Sequence, residues 1–181
     1  MTHAPAHTPN PAHTPNPAQQ PEPGALPALI TAYEADASTP AAWVRGLSRE
    51  HLLSHPVPGT WSVQELVVHT LESDLAATHR FRRIVAEDLP LLIAYDETLC
   101  VQRLAYDRAD IAEVVALFDL HRRFTARWLR TVAPADFARC GIHNQRGKVS
   151  LAEFIQVYID HVRHHERFLL EKRRALGMPL A

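Results

Sequence analysis

The sequence predicts an all-α protein, a four-helix bundle behind a proline-rich tail, and three observations carry that reading. Long stretches after residue 24 place apolar side chains at helical spacing. Two of those stretches open on the Ser-x-x-Glu pattern that closes a helix N-terminus. No segment shows the period-2 alternation of a half-buried strand.

Residues 1–24 form the tail. Ala-His-Thr-Pro-Asn-Pro occurs twice, at 6–11 and 12–17. Dense proline opposes helix and ladder pairing, and there is little apolar surface to bury, so the tail is expected to be disordered. His3, His7 and His13 lie in it. The remaining chain, 25–181, is expected to form one helical-bundle domain.

The first helical stretch runs from Leu26 to about Gly46, with Leu29, Ile30, Tyr33, Trp43 and Val44 in register. Thr39-Pro40 restarts or kinks it, because proline suits a first helical position. Ser48 opens a short turn to Leu53, and the proline-containing segment 54–60 is a rigid loop. Ser62 and Glu65 make a capping box, with Trp61 and Leu66 as its hydrophobic staple; this second helix should end near Glu87, before Pro90. Asp110 opens a third helix to about Val132, with Val114, Leu117, Phe118, His121, Phe124 and Trp128 in register. Ser150 and Glu153 form another capping box, flanked by Val149 and Phe154. The last helix should run to about Leu176, where Gly177 and Pro179 stop it. Four long amphipathic helices imply a four-helix bundle.

Bulk properties narrow the function. The 181 residues are 46% apolar and 22% charged, with a net charge of -1 and no basic block. Nucleic-acid binding is not expected, since it needs a concentrated positive face. No apolar run suits a membrane span, and the N-terminus does not resemble a secretion signal, so the expected location is the cytoplasm. Cys100 and Cys140 do not form a C-x-x-C pair. Histidine is unusually frequent: there are twelve.

Helical phase sorts them. Leu151, Phe154, Tyr158, Val162, Phe168 and Leu169 define the inner stripe of the last helix, and His161 and His165 continue it. Side chains four apart stack along one helix face, which is a common chelate spacing. Two buried histidines bonded to core polar groups would give the same pattern. His164 falls on the polar face with Asp160, Arg167 and Glu171. A third ligand must come from another helix. His69 lies at the margin of the stripe Val63, Val67, Thr70, Ala77, Phe81 and Ile84, and His79 and His121 rival it. His51, His55 and His143 sit in or beside loops and are read as surface residues. Glu65 and Glu72 flank His69 and could hold its second ring nitrogen, or could serve as a cap and a solvated charge. Asp74 falls on the apolar stripe, where an unpaired charge is costly.

The stretch Pro58 to His69, reading P-G-T-W-S-V-Q-E-L-V-V-H, and the later Tyr158 to His165, reading Y-I-D-H-V-R-H-H, together resemble the DinB/YfiT-like family of four-helix-bundle metalloproteins. The segments around Pro90 to Glu97, Leu120 to Arg122 and Asp136-Phe137 are similar as well, so the likeness covers about residues 24–176. The resemblance implies His69, His161 and His165 as the metal ligands, nickel or zinc as the ion, and a homodimer. It also implies a thiol S-transferase or isomerase that uses a small cellular thiol. Where this chain has Glu72 the family often has aspartate.

Three neutral imidazoles leave a divalent ion with open positions, the layout of a catalytic centre. Two chemistries follow. A small thiol could lose its proton on the metal and attack an electrophile, or an acidified water could attack an ester or amide. A non-catalytic metal-binding or dimerisation protein is the third reading. Glu72 and Tyr158 are the candidate catalytic residues. Tyr158 could orient a substrate or pack in the core. Asp96 and Glu97 could line the mouth of the site or sit in solvent.

Overall fold

A computed structural model describes residues 24–180, so the tail assigned to 1–24 lies, except for Gly24, outside the described residues. The helices are α1 (Ala25–Ala35), α2 (Thr39–Val44), α3 (Arg49–Leu53), α4 (Val63–Ala86), α5 (Glu97–Arg103), α6 (Ile111–Leu129) and α7 (Leu151–Ala175). Helix α1 with its continuation, α4, α6 and α7 make the bundle, with α4 packed on α6 and α7 and α1 packed on α6 and α7. A 310 turn at Asp36–Ser38 separates α1 from α2, and Pro40 enters at the start of the new helix. No helix among the described residues is long and apolar enough to cross a membrane.

Local signals set the helix ends. Ser62 Oγ accepts from Glu65 N–H at 3.1 Å while Glu65 accepts from Ser62 N–H at 2.7 Å, so the capping box is closed in both directions. Ser150 and Glu153 repeat it at the head of α7. Asp110 accepts from the N–H groups of Ala112 and Glu113 and starts α6. These caps satisfy amide groups that the helical ladder cannot.

The bundle core has two apolar parts. Phe81, Ile84, Phe154, Ile155, Tyr33 and Leu129 belong to one, and Trp43, Leu66, Val67, Phe118, Val162 and Leu169 to the other. The change falls near Asp74 on α4 and at Arg122 on α6, and both residues are buried. Arg122 Nη2 donates to Asp74 Oδ1 at 2.9 Å, so the charge on the α4 stripe is answered by a partner of opposite sign.

Sequence periodicity did not reveal the small sheet against α4. Strand β1 (Leu91–Leu92) runs parallel to β2 (Cys140–His143), which pairs antiparallel with β3 (Gly147–Ser150). Burial does alternate along β2, but its inward residues are Gly141 and His143, which carry no apolar signature. The short helix α5, between β1 and α6, was likewise not anticipated.

Gly141 sets the approach of β1. A methyl group there would lie 2.8 Å from Leu92 Cδ1 and 3.1 Å from the Pro90 carbonyl oxygen. Gly141→Ala should therefore push β1 away from β2 and cost about 1–3 kcal/mol, the usual range for overpacking. Urea unfolding measures this; a change below about 0.5 kcal/mol would show that the edge yields without strain.

Candidate metal centre

Three imidazoles converge where α4 faces α7. His69, from the first half of α4, is fully buried, and Trp61 packs against its ring with centroids 4.9 Å apart. His161 and His165 lie one turn apart on α7, with ring centroids 4.3 Å apart and their Nε2 atoms at 2.9 Å. The His69 ring is 5.3 Å from that of His161 and 4.9 Å from that of His165. One ligand nitrogen from each lies within 4.8 Å of the others. Two metal–nitrogen bonds of about 2.0–2.1 Å span up to ~4 Å, a separation within reach of modest side-chain rotation.

The donor set fits a divalent ion. Imidazole binds metal in its neutral form, and burial, followed by the proximity of His69, holds His161 well below the ordinary histidine range. Three nitrogen ligands without thiolate suit zinc, nickel, iron or copper, and ligand type does not choose among them. Three ligands from two helices also leave one side of the cluster to face a cavity.

That cavity, of about 270 Å³, is lined by His161, His165, Tyr158, Glu97, Arg80 and His143 among others. Glu97 opens α5 and brings Oε2 to 3.8 Å from His69 Nε2. Burial, then the neighbouring Asp96, raises the Glu97 carboxyl above its ordinary range, with Arg146 opposing. Asp96 itself caps α5 by accepting from Leu99 N–H at 2.9 Å. Tyr158 is buried, its hydroxyl accepts from Arg80 Nη1 at 2.9 Å, and its ring lies 5.9 Å from that of His161. Burial raises the Tyr158 phenol, so it stays protonated and can donate.

The other candidates fall elsewhere. Glu72, on α4, is half-buried and absent from the cavity wall; its charge acts on Cys100 and Tyr106, helping burial to raise both groups. His121 Nε2 meets Thr78 Oγ1 at 2.8 Å and the Asp74 carbonyl oxygen at 3.2 Å, inside the polar core. His79 is exposed. His51 completes the cap of α3, and His55 pairs with Glu65 at 3.2 Å. His164 contacts Arg167 at 2.9 Å and sits on the cavity rim.

His143 is a correction. Read as a surface residue, it is 5% exposed, on β2, in the cavity wall. Burial, then Arg80 and Arg146, lowers its pKa to about 4. Its Nδ1 accepts from Gln145 N–H at 3.3 Å, which assigns the proton to Nε2. No strand signal in residues 140–143 marks it as inward. Arg80 was also missed, although one could find it: three residues after Ala77 and four before Ile84, it is a charge in the inner phase of α4.

An α-helical bundle carrying a three-histidine cluster at the wall of a cavity defines a class of metal-binding fold. The chain belongs to the DinB superfamily, whose sequence profile matches residues 32–169. It is similar to YfiT of Bacillus subtilis, named as a candidate metal-dependent hydrolase, with 30% identity over 121 residues, 66% of this chain and 67% of that one. A similarly named protein of Oceanobacillus iheyensis is 27% identical over 119 residues, covering 66% of this chain and 69% of its own. The solved structure of YfiT, described as a four-helix bundle of unusual topology, superposes with a TM-score of 0.82 at 22% identity. That match covers 91% of this chain and 94% of YfiT.

Proposed function

We propose that the protein is a metal-dependent enzyme that holds zinc or nickel on His69, His161 and His165 and transfers a small thiol to an electrophile. The observation that carries this reading is the three-imidazole cluster open to a cavity on one side. A divalent ion bound there would supply the Lewis-acid charge that lowers the pKa of a thiol or a water placed beside it.

The chain's own groups would do the rest. Burial, then the proximity of His69, holds the His161 imidazole below the ordinary histidine range, in the neutral form that serves as a ligand. The Tyr158 hydroxyl, already accepting from Arg80, has its own proton to donate to an electrophile as negative charge develops there.

Hydrolysis is the second reading, favoured by the names of the relatives and by Glu97. Its carboxylate, 3.8 Å from His69, is placed to accept a proton from an attacking water. One assay separates the two. Metal-loaded protein is incubated with a thiol and a chromogenic electrophile, and separately with a chromogenic ester. Thiol-dependent turnover that falls at least ~100-fold in His161→Ala is expected. Ester cleavage without thiol would replace that reading with hydrolysis. Inactivity in both assays with metal bound would favour a sensor or scaffold.

A further inference from the structure

Several charged side chains are buried in this protein, and their surroundings differ. Arg122 faces the Asp74 carboxylate at 2.9 Å and has Asp36 at 3.6 Å. Arg173 donates to the carbonyl oxygens of Trp43 and Arg45, closing the end of α2. Arg80 is only 7% exposed, yet its hydrogen-bond partners are neutral: the Tyr158 hydroxyl and, through Nη2, the Ile93 carbonyl oxygen. Its guanidinium also lies 5.8 Å from the centroid of the Tyr95 ring. A guanidinium has five N–H donors, so those two bonds leave donors over.

Arg80 lines the same cavity as the histidine cluster, and so does Arg146, from the turn between β2 and β3. Among the described residues, neither arginine has a carboxylate oxygen within the 4.0 Å of an ion pair. The wall carries one acid, Glu97, against these two cations. His143, with its proton on Nε2, adds a neutral donor to that wall. A buried cation without a counter-charge is costly unless a ligand supplies one.

We propose that this cavity selects a substrate bearing a carboxylate, held by Arg80 and Arg146 with His143 beside them, while its reactive end faces the histidine cluster. Arginine is suited to a planar carboxylate because its fork donates two parallel hydrogen bonds. The Tyr158 hydroxyl joins the two ends of the cavity: it accepts from Arg80, and its ring lies 5.9 Å from that of His161. The assignment rests on the reading of the cluster as the metal centre, and under the thiol-transfer reading the acid belongs to the thiol or to its electrophile.

The test uses the full-length zinc-loaded protein and isothermal titration with two pairs of probes. One pair is 3-mercaptopropionate and its amide; the other is succinate and succinamide. In each pair the acid should bind at least ~10-fold more tightly than the amide. Arg146→Gln, a change at a half-buried turn residue, should cut that preference at least ~3-fold. Arg80→Gln should reduce it further, and Arg80→Lys should restore part of it. Circular dichroism checks that each variant folds, and Arg146→Gln decides alone if the Arg80 variants do not. Equal binding of acid and amide would overturn the proposal. So would a preference unchanged in Arg146→Gln and in any folded Arg80 variant, because the ion alone would then be reading the charge. If neither thiol binds but succinate retains an Arg146-dependent preference, thiol transfer fails and the anion site stands.

Discussion

Replacing His165 with alanine should empty the metal centre, whereas replacing His164, the adjacent residue, should leave it loaded. The two side chains diverge because successive helical residues are turned by about 100°. His165 is 1% exposed, and its Nε2 meets His161 Nε2 at 2.9 Å. His164 turns to the rim, where its Nδ1 lies 2.9 Å from an Arg167 nitrogen, a cationic neighbour unfavourable to a second positive charge. Even the loss of a group that only supports a ligand weakens metal affinity about 10–100-fold, so loss of a ligand should exceed about 100-fold. Mass spectrometry of purified protein should find close to one zinc or nickel per chain in the parent and in His164→Ala. His165→Ala should be nearly metal-free. Added zinc should raise the melting temperature of the first two only, because an ion that binds just the folded state stabilises it by mass action. The reverse pattern, with His164→Ala empty and His165→Ala loaded, would refute the assigned geometry.

Asp74→Ala should be the most damaging substitution away from the histidines, costing about 3–5 kcal/mol, the usual range for breaking a buried ion pair. The Asp74 carboxylate accepts from Arg122 Nε at 3.1 Å, from Arg122 Nη2 at 2.9 Å and from the Tyr33 hydroxyl at 3.0 Å. Arg122 also donates to the carbonyl oxygens of Tyr33 and Tyr158, and its guanidinium stacks 4.3 Å from the Tyr33 ring centroid. Removing the acid leaves a guanidinium that is almost fully buried without its main counter-charge. The companion experiment replaces both partners, Asp74→Leu with Arg122→Met. Two apolar groups of similar bulk leave no charge to desolvate, so the double variant should be more stable than the sum of the singles by at least about 1 kcal/mol. Urea denaturation of the four proteins closes the cycle. Strict additivity would show that the pair contributes nothing jointly to the bundle.

Much of this architecture was legible in the sequence because helices advertise themselves locally. Ser62, Ser150 and Asp110 mark their starts by side-chain type, and apolar phase gives the inward faces of α4 and α7. On α6 it holds for Val114 and Phe118 but not for Leu117 and Phe124, which are exposed because Arg122 and Thr125 take the inward positions. Phase also separated His161 and His165 from His164. It could not choose His69 over His79 and His121, since each lies near an inner stripe and only the tertiary fold shows which meets α7. Phase likewise identified Asp74 as a charge needing a partner without showing that Arg122 would supply it. The sheet was invisible for a different reason. Its strands are two to four residues long, and their inward positions include Gly141 and His143, so neither length nor hydropathy marks them. The cavity wall built on those strands, with His143 and Arg146, was hidden with them.

The cluster draws its nitrogens from two helices, with His69 and His161 half of the chain apart in sequence. An ion held there would therefore be a clasp, tying two distant stretches together and opposing the entropy of the loop between them. It also sets an order of events during synthesis. The complete set of three ligands cannot form until α7, downstream of the other helices, has been made and has docked on α4. Loading would thus be a late step in maturation, and a nascent chain ending before α7 would offer the ion only one of its three ligands.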